Sequence, residues 1–217
     1  MTAVPPLDEV RSFADMWERL GRVPLERIRW KPYPGTATLA DQIASERGGR
    51  IICEMVDGML IEKTGGFAES VVTVRLACEM MRSAEDRNLG IFAGAKGPMR
   101  LPRGNIRIPD ISFTPWDNIP GRRMPREAVP DLVPAIAVET LDEGNTPQEM
   151  RRKRGDWFAA GCRLVWEVDI HTRTVEVFAS PDGRVVLTEA DTLEAGMVLP
   201  GFRLPLAELF GELDRHG

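Results

Sequence analysis

The chain has few of the residues on which zinc sites, disulfide frameworks and histidine-based catalysis depend. Its 217 residues include three cysteines and two histidines. Cys53, Cys78 and Cys162 are odd in number and show no CxxC spacing, which argues against disulfides and cysteine-based zinc sites. His171 and His216 supply too few imidazoles for a histidine-rich site. We therefore expect any catalytic chemistry to depend on carboxylates and lysine.

Long apolar runs and an excess of positive charge are also missing. No run approaches the roughly 20 apolar residues that span a bilayer, and the N-terminal MTAVPPLDEV lacks the basic flank and apolar stretch of a signal peptide. We therefore expect a cytoplasmic protein with no membrane partner. The formal net charge of -5, from 28 Lys and Arg against 33 Asp and Glu, argues against nonspecific coating of nucleic acid.

What the chain does contain is the composition of a globular domain. Hydrophobic residues make up 43% and charged residues 28% of the sequence, close to the averages of folded proteins and unlike disordered or collagenous ones. At roughly 100–200 residues per domain, the length fits one domain with an added arm. We predict a helical arm over residues 1–48 and the main domain over residues 49–217.

Helical signals mark several segments. An apolar stripe from Asp8 to Leu20 predicts an arm helix, and a short helix is expected to begin near Thr38. Residues 67–88 have helical periodicity, with a predicted apolar face of Val71, Val74, Leu76, Cys78 and Met81. The helix with the clearest start and stop signals is predicted over residues 146–161. Those signals are the N-cap Thr146, Pro147 at the first helical position, Glu149 in a capping box and the terminator Gly161. Residues 204–210 predict a closing helix.

Strand signals complete a mixed pattern. Asp57-Gly58 between two β-rich runs is a strong hairpin signal, and residues 105–114 predict one strand with Ile108, Asp110 and Ser112 on the same side. The run VPAIAVE is apolar on both faces, as in a central buried strand. Other strands are predicted at residues 89–95, 162–170, 173–179 and 184–190. The order of elements indicates an α/β or α+β fold with a central mixed sheet.

Two acidic residues lie inside predicted strands. Asp110 follows Pro109 in an apolar strand, and Glu139 ends the buried run VPAIAVE. A buried carboxylate needs a cationic partner, a metal or a route to solvent. Paired at neighbouring strand ends, the two would offer hard oxygen ligands to a divalent cation such as Mg²⁺. In the alternative interpretation, Asp110 begins a turn and Glu139 caps the sheet edge in a salt bridge.

The helix after Glu139 carries a basic cluster, RRKR. Helical spacing places Lys153 beside Met150 and Trp157, on the packed flank of this helix. A lysine there must extend to solvent or meet carboxylates. Arg154 lies in the same arc, so spacing alone does not choose between the two. Arg151 and Arg152 are predicted to form a solvated basic face.

These residues belong to an ordered series of motifs that resembles a known family. The strings RIPDISF, PAIAVETLDEGNTPQEMRRKRGDWFAAGCRLVWEVD and VLPGFRLPLAELF are similar to the bacterial Uma-type endonuclease family, a branch of the PD-(D/E)XK nuclease superfamily. The resemblance covers nearly the whole chain, including RLGRVPLERI, PGTAT, VDGMLIEKTGG and NLGI. It implies a restriction-endonuclease-like core, with a central mixed β-sheet flanked by helices and the active site at one sheet edge.

The resemblance also implies a set of site residues. Asp110 supplies the PD acid and Glu139 the second acid, whereas the usual lysine position holds Leu141, and Lys153 on the next helix matches the family's lysine. Asp110, Glu139 and Lys153 would form the catalytic set. Glu54 matches a frequent acidic position and would complete the metal site with Asp110 and Glu139, unless it is a surface-facing strand residue.

One position departs from the family pattern. Asp142 stands where family members commonly carry serine. An extra carboxylate beside the site could recruit another cation, or it could repel the phosphate of a substrate.

The implied activity is Mg²⁺- or Mn²⁺-dependent hydrolysis of phosphodiester bonds in nucleic acid, with DNA as the expected substrate. A local excess of basic residues around the PD strand could hold a phosphate backbone despite the acidic total, or it could be an ordinary solvated loop. The candidate contacts are Arg100, Arg103, Arg107, Arg122 and Arg123. A homodimer is expected because cutting both strands of a duplex often uses two sites. Two alternatives stay open, namely a noncatalytic interaction module with this fold and a metal-dependent phosphohydrolase acting on a small ester.

Overall fold

The computed structural model describes residues 9–47 and 51–215, so Asp8, the predicted boundary between residues 48 and 49, and His216 lie outside the described residues. The α-helices are α1 (Phe13–Arg19), α2 (Leu39–Arg47), α3 (Phe67–Glu85), α4 (Pro147–Ala160) and α5 (Leu206–Phe210). The strands are β1 (Cys53–Val56), β2 (Met59–Glu62), β3 (Gly90–Gly94), β4 (Met99–Arg100), β5 (Ile106–Arg107), β6 (Ile111–Pro115), β7 (Ile136–Leu141), β8 (Leu164–Asp169), β9 (Thr174–Phe178), β10 (Arg184–Leu187), β11 (Thr192–Glu194) and β12 (Arg203–Pro205).

The central sheet has six strands in the order β10-β9-β8-β7-β6-β3. Strands β7 and β8 are parallel, whereas the other neighbouring pairs are antiparallel. A second sheet has the order β2-β1-β5-β4, and β11 pairs with β12. The predicted central buried strand is confirmed, because β7 lies inside the six-stranded sheet and its residues from Ile136 to Thr140 are buried.

Helices α3 and α4 cover the two faces of the central sheet. On one face, Leu76 and Met80 of α3 belong to the same core cluster as Val138 and Trp166. On the other, Trp157 of α4 packs with a cluster that includes Ala137 and Val165. Val138 and Ala137 point to opposite faces because side chains alternate along a strand. The predicted mixed sheet flanked by helices is therefore confirmed.

The predicted apolar face of α3 is confirmed at Leu76 and wrong at most of its other positions. The side chains that α3 buries are Val72, Leu76, Met80 and Ala84, which recur every four residues. Val74, Cys78 and Met81 are exposed instead. Apolar residues occur all round this helix, so periodicity alone did not identify the stripe that packs.

The helix ends follow local hydrogen bonding. Helix α1 begins at Phe13, later than predicted, because Ser12 and Asp15 form a capping box there. At α4, Thr146 accepts a hydrogen bond from the Glu149 amide at 3.0 Å, as predicted, but the Glu149 carboxylate does not complete the box. That carboxylate instead accepts two hydrogen bonds from the buried Arg27 guanidinium, both at 2.8 Å. The interaction joins the N-terminal segment to the start of α4.

The strand predicted over residues 105–114 is divided between two sheets. Strand β5 pairs with β1 and β4, whereas β6 pairs with β3 and β7. The chain passes from one sheet to the other at residues 108–110, where the Asp110 amide donates to the Val138 carbonyl at 2.9 Å. Asp110 therefore lies where the two sheets meet.

The helices of the described residues fall short of a membrane span in length or apolar character, and none of them could span a bilayer.

The Asp57-Gly58 turn joins β1 and β2 as predicted. Asp57 and Gly58 have φ values of 49° and 72°, the positive pair that a tight hairpin turn requires. A Cβ atom at Gly58 would lie 2.5 Å from the Gly35 carbonyl oxygen. Both this steric clash and the positive φ therefore favour glycine at position 58.

Gly58→Ala is expected to lower the free energy of unfolding by about 3 kcal/mol, because it combines backbone strain with this clash. Gly121→Ala is the matched control, since Gly121 has a φ of 66° and open space around its Cβ position. The control should cost about 1 kcal/mol. Urea unfolding followed by tryptophan fluorescence measures both variants, and equal losses would show that the clash is relieved without cost.

Candidate active site

The structure brings the predicted acids together from adjacent strands. Asp110 precedes β6, and its Oδ2 accepts a hydrogen bond from the Thr140 amide at 2.8 Å. Glu139 lies on β7, two residues from Ala137, and therefore points to the same sheet face, the one that α4 covers. Because β7 lies between β6 and β8, the alternative interpretation is wrong in placing Glu139 at the sheet edge, whereas the salt bridge that it expected is present, with Lys153.

Helix α4 provides the predicted lysine. Lys153 is 4% exposed, and its Nζ lies 2.9 Å from Glu139 Oε2 and 3.2 Å from Glu54 Oε1. Trp157, one helical turn later, directs its indole nitrogen at Glu139 Oε1, 3.4 Å away. Burial disfavours the charged amine, yet the Glu139 and Glu54 carboxylates outweigh burial and raise the pKa of Lys153 above its ordinary value. Lys153 is therefore a fixed positive charge.

The rest of the RRKR cluster has other partners. Arg154 pairs with Glu167 at 2.6 Å and lies over the Phe178 ring, so Lys153 is the residue that reaches Glu139. Arg151 is exposed, as predicted. Arg152 is wrongly predicted as solvated, because it pairs with Asp57 at 3.0 Å and with Asp156 at 3.1 Å.

Glu54 lies in the interior, so its interpretation as a surface-facing strand residue is wrong. It is 2% exposed, and its Oε1 accepts a hydrogen bond from the Ile108 amide at 2.9 Å. Its Oε2 accepts one from Arg107 at 2.7 Å. Burial raises the pKa of Glu54, but Lys153 and Arg107 outweigh it and lower the pKa to about 2. Both oxygen atoms of this ionised carboxylate are therefore engaged by groups of the protein.

The low pKa of Glu54 gives a dependence of stability on pH. Because its folded-state pKa of about 2 lies below the ordinary 4.5, ionised Glu54 stabilises the fold above pH 4.5 and loses this contribution as pH falls toward 2. Glu54→Gln should therefore be less stable than the wild type near neutral pH, and the difference should shrink in acid. Urea unfolding at several pH values measures it, with Glu9→Gln as a surface control. A constant difference across this range would contradict the assignment.

Lys63 is a site residue that sequence reasoning missed. It follows the last residue of β2, and its Nζ lies 2.7 Å from Asp110 Oδ1 and 3.7 Å from Glu139 Oε2. The amine also donates to the Ile108 carbonyl at 2.6 Å. The sequence places Lys63 in the same hairpin as Glu54, but this position does not indicate that Lys63 pairs with Asp110.

Only part of this cluster faces solvent. Lys63, Asp110 and Thr140 line an open pocket of about 420 Å³, together with Gly66 and Thr73 near the start of α3. The side chain of Asp110 is 16% exposed and that of Lys63 is 10% exposed. Lys153 does not line this pocket. Of the acids and lysines of the cluster, Asp110 and Lys63 are therefore the ones that a ligand in the pocket can contact.

The donor atoms fit a divalent cation held by two carboxylates. The oxygen atoms of Asp110 and Glu139 converge on one positive group, the Lys63 amine, and such hard oxygen atoms are the ligands that Mg²⁺ prefers. Glu54 fits less well, because its oxygens are bonded to Arg107 and Ile108 and the amine that joins Asp110 and Glu139 forms no ion pair with it. In the part of the chain that the structure describes, no group of three or more His, Cys, Asp or Glu side chains is placed to hold a metal ion.

The predicted nucleic-acid contacts divide into two groups. Arg107 is 2% exposed and pairs with Glu54 and Asp156, so the structure contradicts its prediction as a contact residue. The other four are at the surface, where Arg100 pairs with Asp131 and Arg122 with Asp117. These four are Arg100, Arg103, Arg122 and Arg123.

Asp142 lies in the turn between β7 and α4. Its Oδ1 accepts a hydrogen bond from the Gly144 amide at 2.6 Å, and its own amide binds Asn145 Oδ1 at 3.1 Å. The carboxylate therefore stabilises the turn that leads into α4. Its predicted effect on a cation or phosphate stays a prediction.

Comparison with known proteins gives the family. The family model Uma2, described as "Putative restriction endonuclease", matches residues 40–207. The chain belongs to the Uma2 family. The fold also resembles a crystal structure from Anabaena variabilis, described as a "putative nuclease belonging to DUF820", with a TM-score of 0.66 and 16% sequence identity. That likeness covers 75% of this Uma2 chain and 91% of the other chain. The curated proteins contain no match.

Proposed function

We propose that this Uma2 protein is a metal-dependent endonuclease that hydrolyses phosphodiester bonds, with DNA as its substrate. The observation that carries the proposal is the convergence of Asp110 and Glu139, from neighbouring strands, on one positive group beside an open pocket. The family description and the shared fold support nuclease chemistry.

Asp110, Glu139 and the Thr140 backbone carbonyl would hold Mg²⁺ or Mn²⁺. When bound, the ion would polarise the phosphate and lower the pKa of the attacking water. The protein contributes the placement of the ligands. Thr140 fixes one oxygen of Asp110 through its amide, and Trp157 together with Lys153 restrains the Glu139 carboxylate. Restrained ligands need little reorganisation during the reaction.

Lys153 serves this site as a positioning residue. Its amine is buried between Glu139 and Glu54 and does not line the pocket, so it acts on the substrate through Glu139. A carboxylate buried without a cation would take up a proton and become a poorer metal ligand. Burial raises the pKa of Glu139, whereas Lys153 and Lys63 oppose that shift and favour its ionised form.

An open pocket and exposed basic residues support the proposed substrate class. An open pocket lined by Asp110 and Lys63 can receive a phosphate that belongs to a longer chain. Arg103 and Arg123 are exposed, and we propose that they contact the backbone of a long substrate. Such contacts predict that affinity falls steeply as salt concentration rises.

The purified protein is expected to convert supercoiled plasmid into nicked and linear forms in Mg²⁺ or Mn²⁺, and EDTA should abolish the conversion. Agarose gel electrophoresis measures the products. A chromogenic phosphate monoester, assayed in parallel, tests the alternative of a small-ester phosphohydrolase. Turnover of the monoester without cutting of DNA or RNA would overturn the proposal, and the absence of any metal binding by calorimetry would favour a noncatalytic module.

A further inference from the structure

Lys63 occupies the space between the two proposed metal ligands. Its amine is 2.7 Å from Asp110 Oδ1 and 3.7 Å from Glu139 Oε2. A divalent cation bound to the same two oxygen atoms would lie about 2.0–2.1 Å from each. The amine and such an ion therefore cannot occupy this position together.

The two lysines of the site differ in their freedom to move. Lys153 projects from the middle of α4 and is enclosed by Glu139 and Glu54. Lys63 follows the end of β2, precedes the exposed residues Thr64, Gly65 and Gly66, and lines the pocket. Its long, flexible side chain can turn from the carboxylates into the pocket without any change in a helix or strand.

A displaced Lys63 amine could contact a phosphate bound in the pocket. Asp110, Thr140 and Thr73 line the same pocket, so an amine that leaves Asp110 stays next to any phosphate bound there. An ammonium group is a common ligand of phosphate oxygens, which it binds as a point charge. Movement of one side chain would thus exchange a contact with the metal ligands for one with the substrate.

We propose that the Lys63 amine and a divalent cation exchange at Asp110 and Glu139, and that the displaced amine contacts the phosphate of the substrate. In the absence of the ion, Lys63 pairs with Asp110 and, together with Lys153, offsets the charge of the two carboxylates. This inference rests on the proposed function, because it requires that the carboxylate pair binds a metal.

The test measures the accessibility of each lysine amine. The chain has four lysines, so brief acylation by a water-soluble ester, followed by peptide mass spectrometry, can follow every one of them. They are Lys31, Lys63, Lys96 and Lys153. We expect saturating Mg²⁺, without nucleic acid, to increase acylation of Lys63 several-fold. Lys153 should stay protected because it is buried, and the exposed Lys96 should not change.

Calorimetry of Mg²⁺ binding to the same protein separates the proposed exchange from the proposed function. If Mg²⁺ binds and acylation of Lys63 does not rise, the exchange is overturned and the proposed function stands. If Mg²⁺ does not bind, both are overturned. Lys63→Met gives a second measurement, since removal of the competing amine should tighten Mg²⁺ binding about five- to tenfold, and unchanged or weaker binding would contradict the exchange.

Discussion

Asp110→Asn is expected to reduce plasmid cleavage by about 10²-fold or more, because an amide is a weaker metal ligand than a carboxylate. The substitution keeps the shape of the side chain, and its carbonyl oxygen can still accept the hydrogen bond from Thr140. It removes one negative charge from the pocket and leaves Lys63 with a weaker partner. Initial rates of nicking at saturating Mg²⁺ measure the loss.

A matched control separates chemistry from charge. Asp117→Asn also replaces an aspartate by its amide, but Asp117 is exposed and pairs with Arg122 in the loop after β6. Its cleavage rate should remain close to that of the wild type. Circular dichroism and thermal unfolding show whether each variant folds. A folded Asp110→Asn protein that cuts DNA at the wild-type rate would remove Asp110 from the proposed site.

The elements that the sequence predicted well are those with strong local signals. Asp57-Gly58 suits a turn in which both residues have positive φ, and Pro147 is compatible with the first turn of a helix but not with its interior. The run VPAIAVE is apolar on both faces because β7 is covered on both sides. Each of these signals can be recognised within a few consecutive residues.

The strand break at residues 108–110 lacked such a signal. Ile108 and Ile111 are both buried, so the hydrophobic pattern continues across the point at which the chain changes sheets. The division follows from pairing with β1 on one side and with β7 on the other. Those partners lie 51 residues away for β1 and 23 to 27 residues away for β7, and local periodicity does not report them.

The sequence pointed to the acids of the candidate site and to Lys153, but not to the positions of its other two bases. A carboxylate inside an apolar strand is conspicuous in the sequence, as for Asp110 and Glu139. Lys63 and Arg107 occur in segments where a basic residue could equally be at the surface. Only the packing of the β1–β2 hairpin against residues 106–110 places them beside Asp110 and Glu54. Sequence reasoning therefore expected Arg107 at the surface and did not identify Lys63.

The two site lysines differ in burial, so we expect their loss to have different effects on stability. Lys63 is partly accessible, and its loss leaves Asp110 with a route to solvent. Lys153 lies between two buried carboxylates, so its loss would leave them in the interior with weaker compensation. Removal of one partner from a buried ion pair is costly because the remaining charge cannot regain its hydration.

Lys153→Met is therefore expected to lower the free energy of unfolding by about 3–5 kcal/mol at neutral pH. Methionine fills the space of the lysine stem, so most of the loss reports the missing charge. Urea unfolding followed by the fluorescence of the buried residues Trp157 and Trp166 measures it. Arg151→Met is the control on the same helix, and because Arg151 is exposed it should cost less than about 0.5 kcal/mol.

A second variant identifies the charge responsible for this loss. Lys153→Met combined with Glu139→Gln should recover part of the stability, because the glutamine carries no charge that needs the amine. The loss of unfolding free energy in Lys153→Met should also shrink as pH falls. Burial raises the pKa of Glu139, and a Glu139 without its lysine partner takes up a proton more readily. A loss of stability that is independent of pH and unrelieved by Glu139→Gln would mean that Lys153 stabilises the fold through its packing instead of its charge.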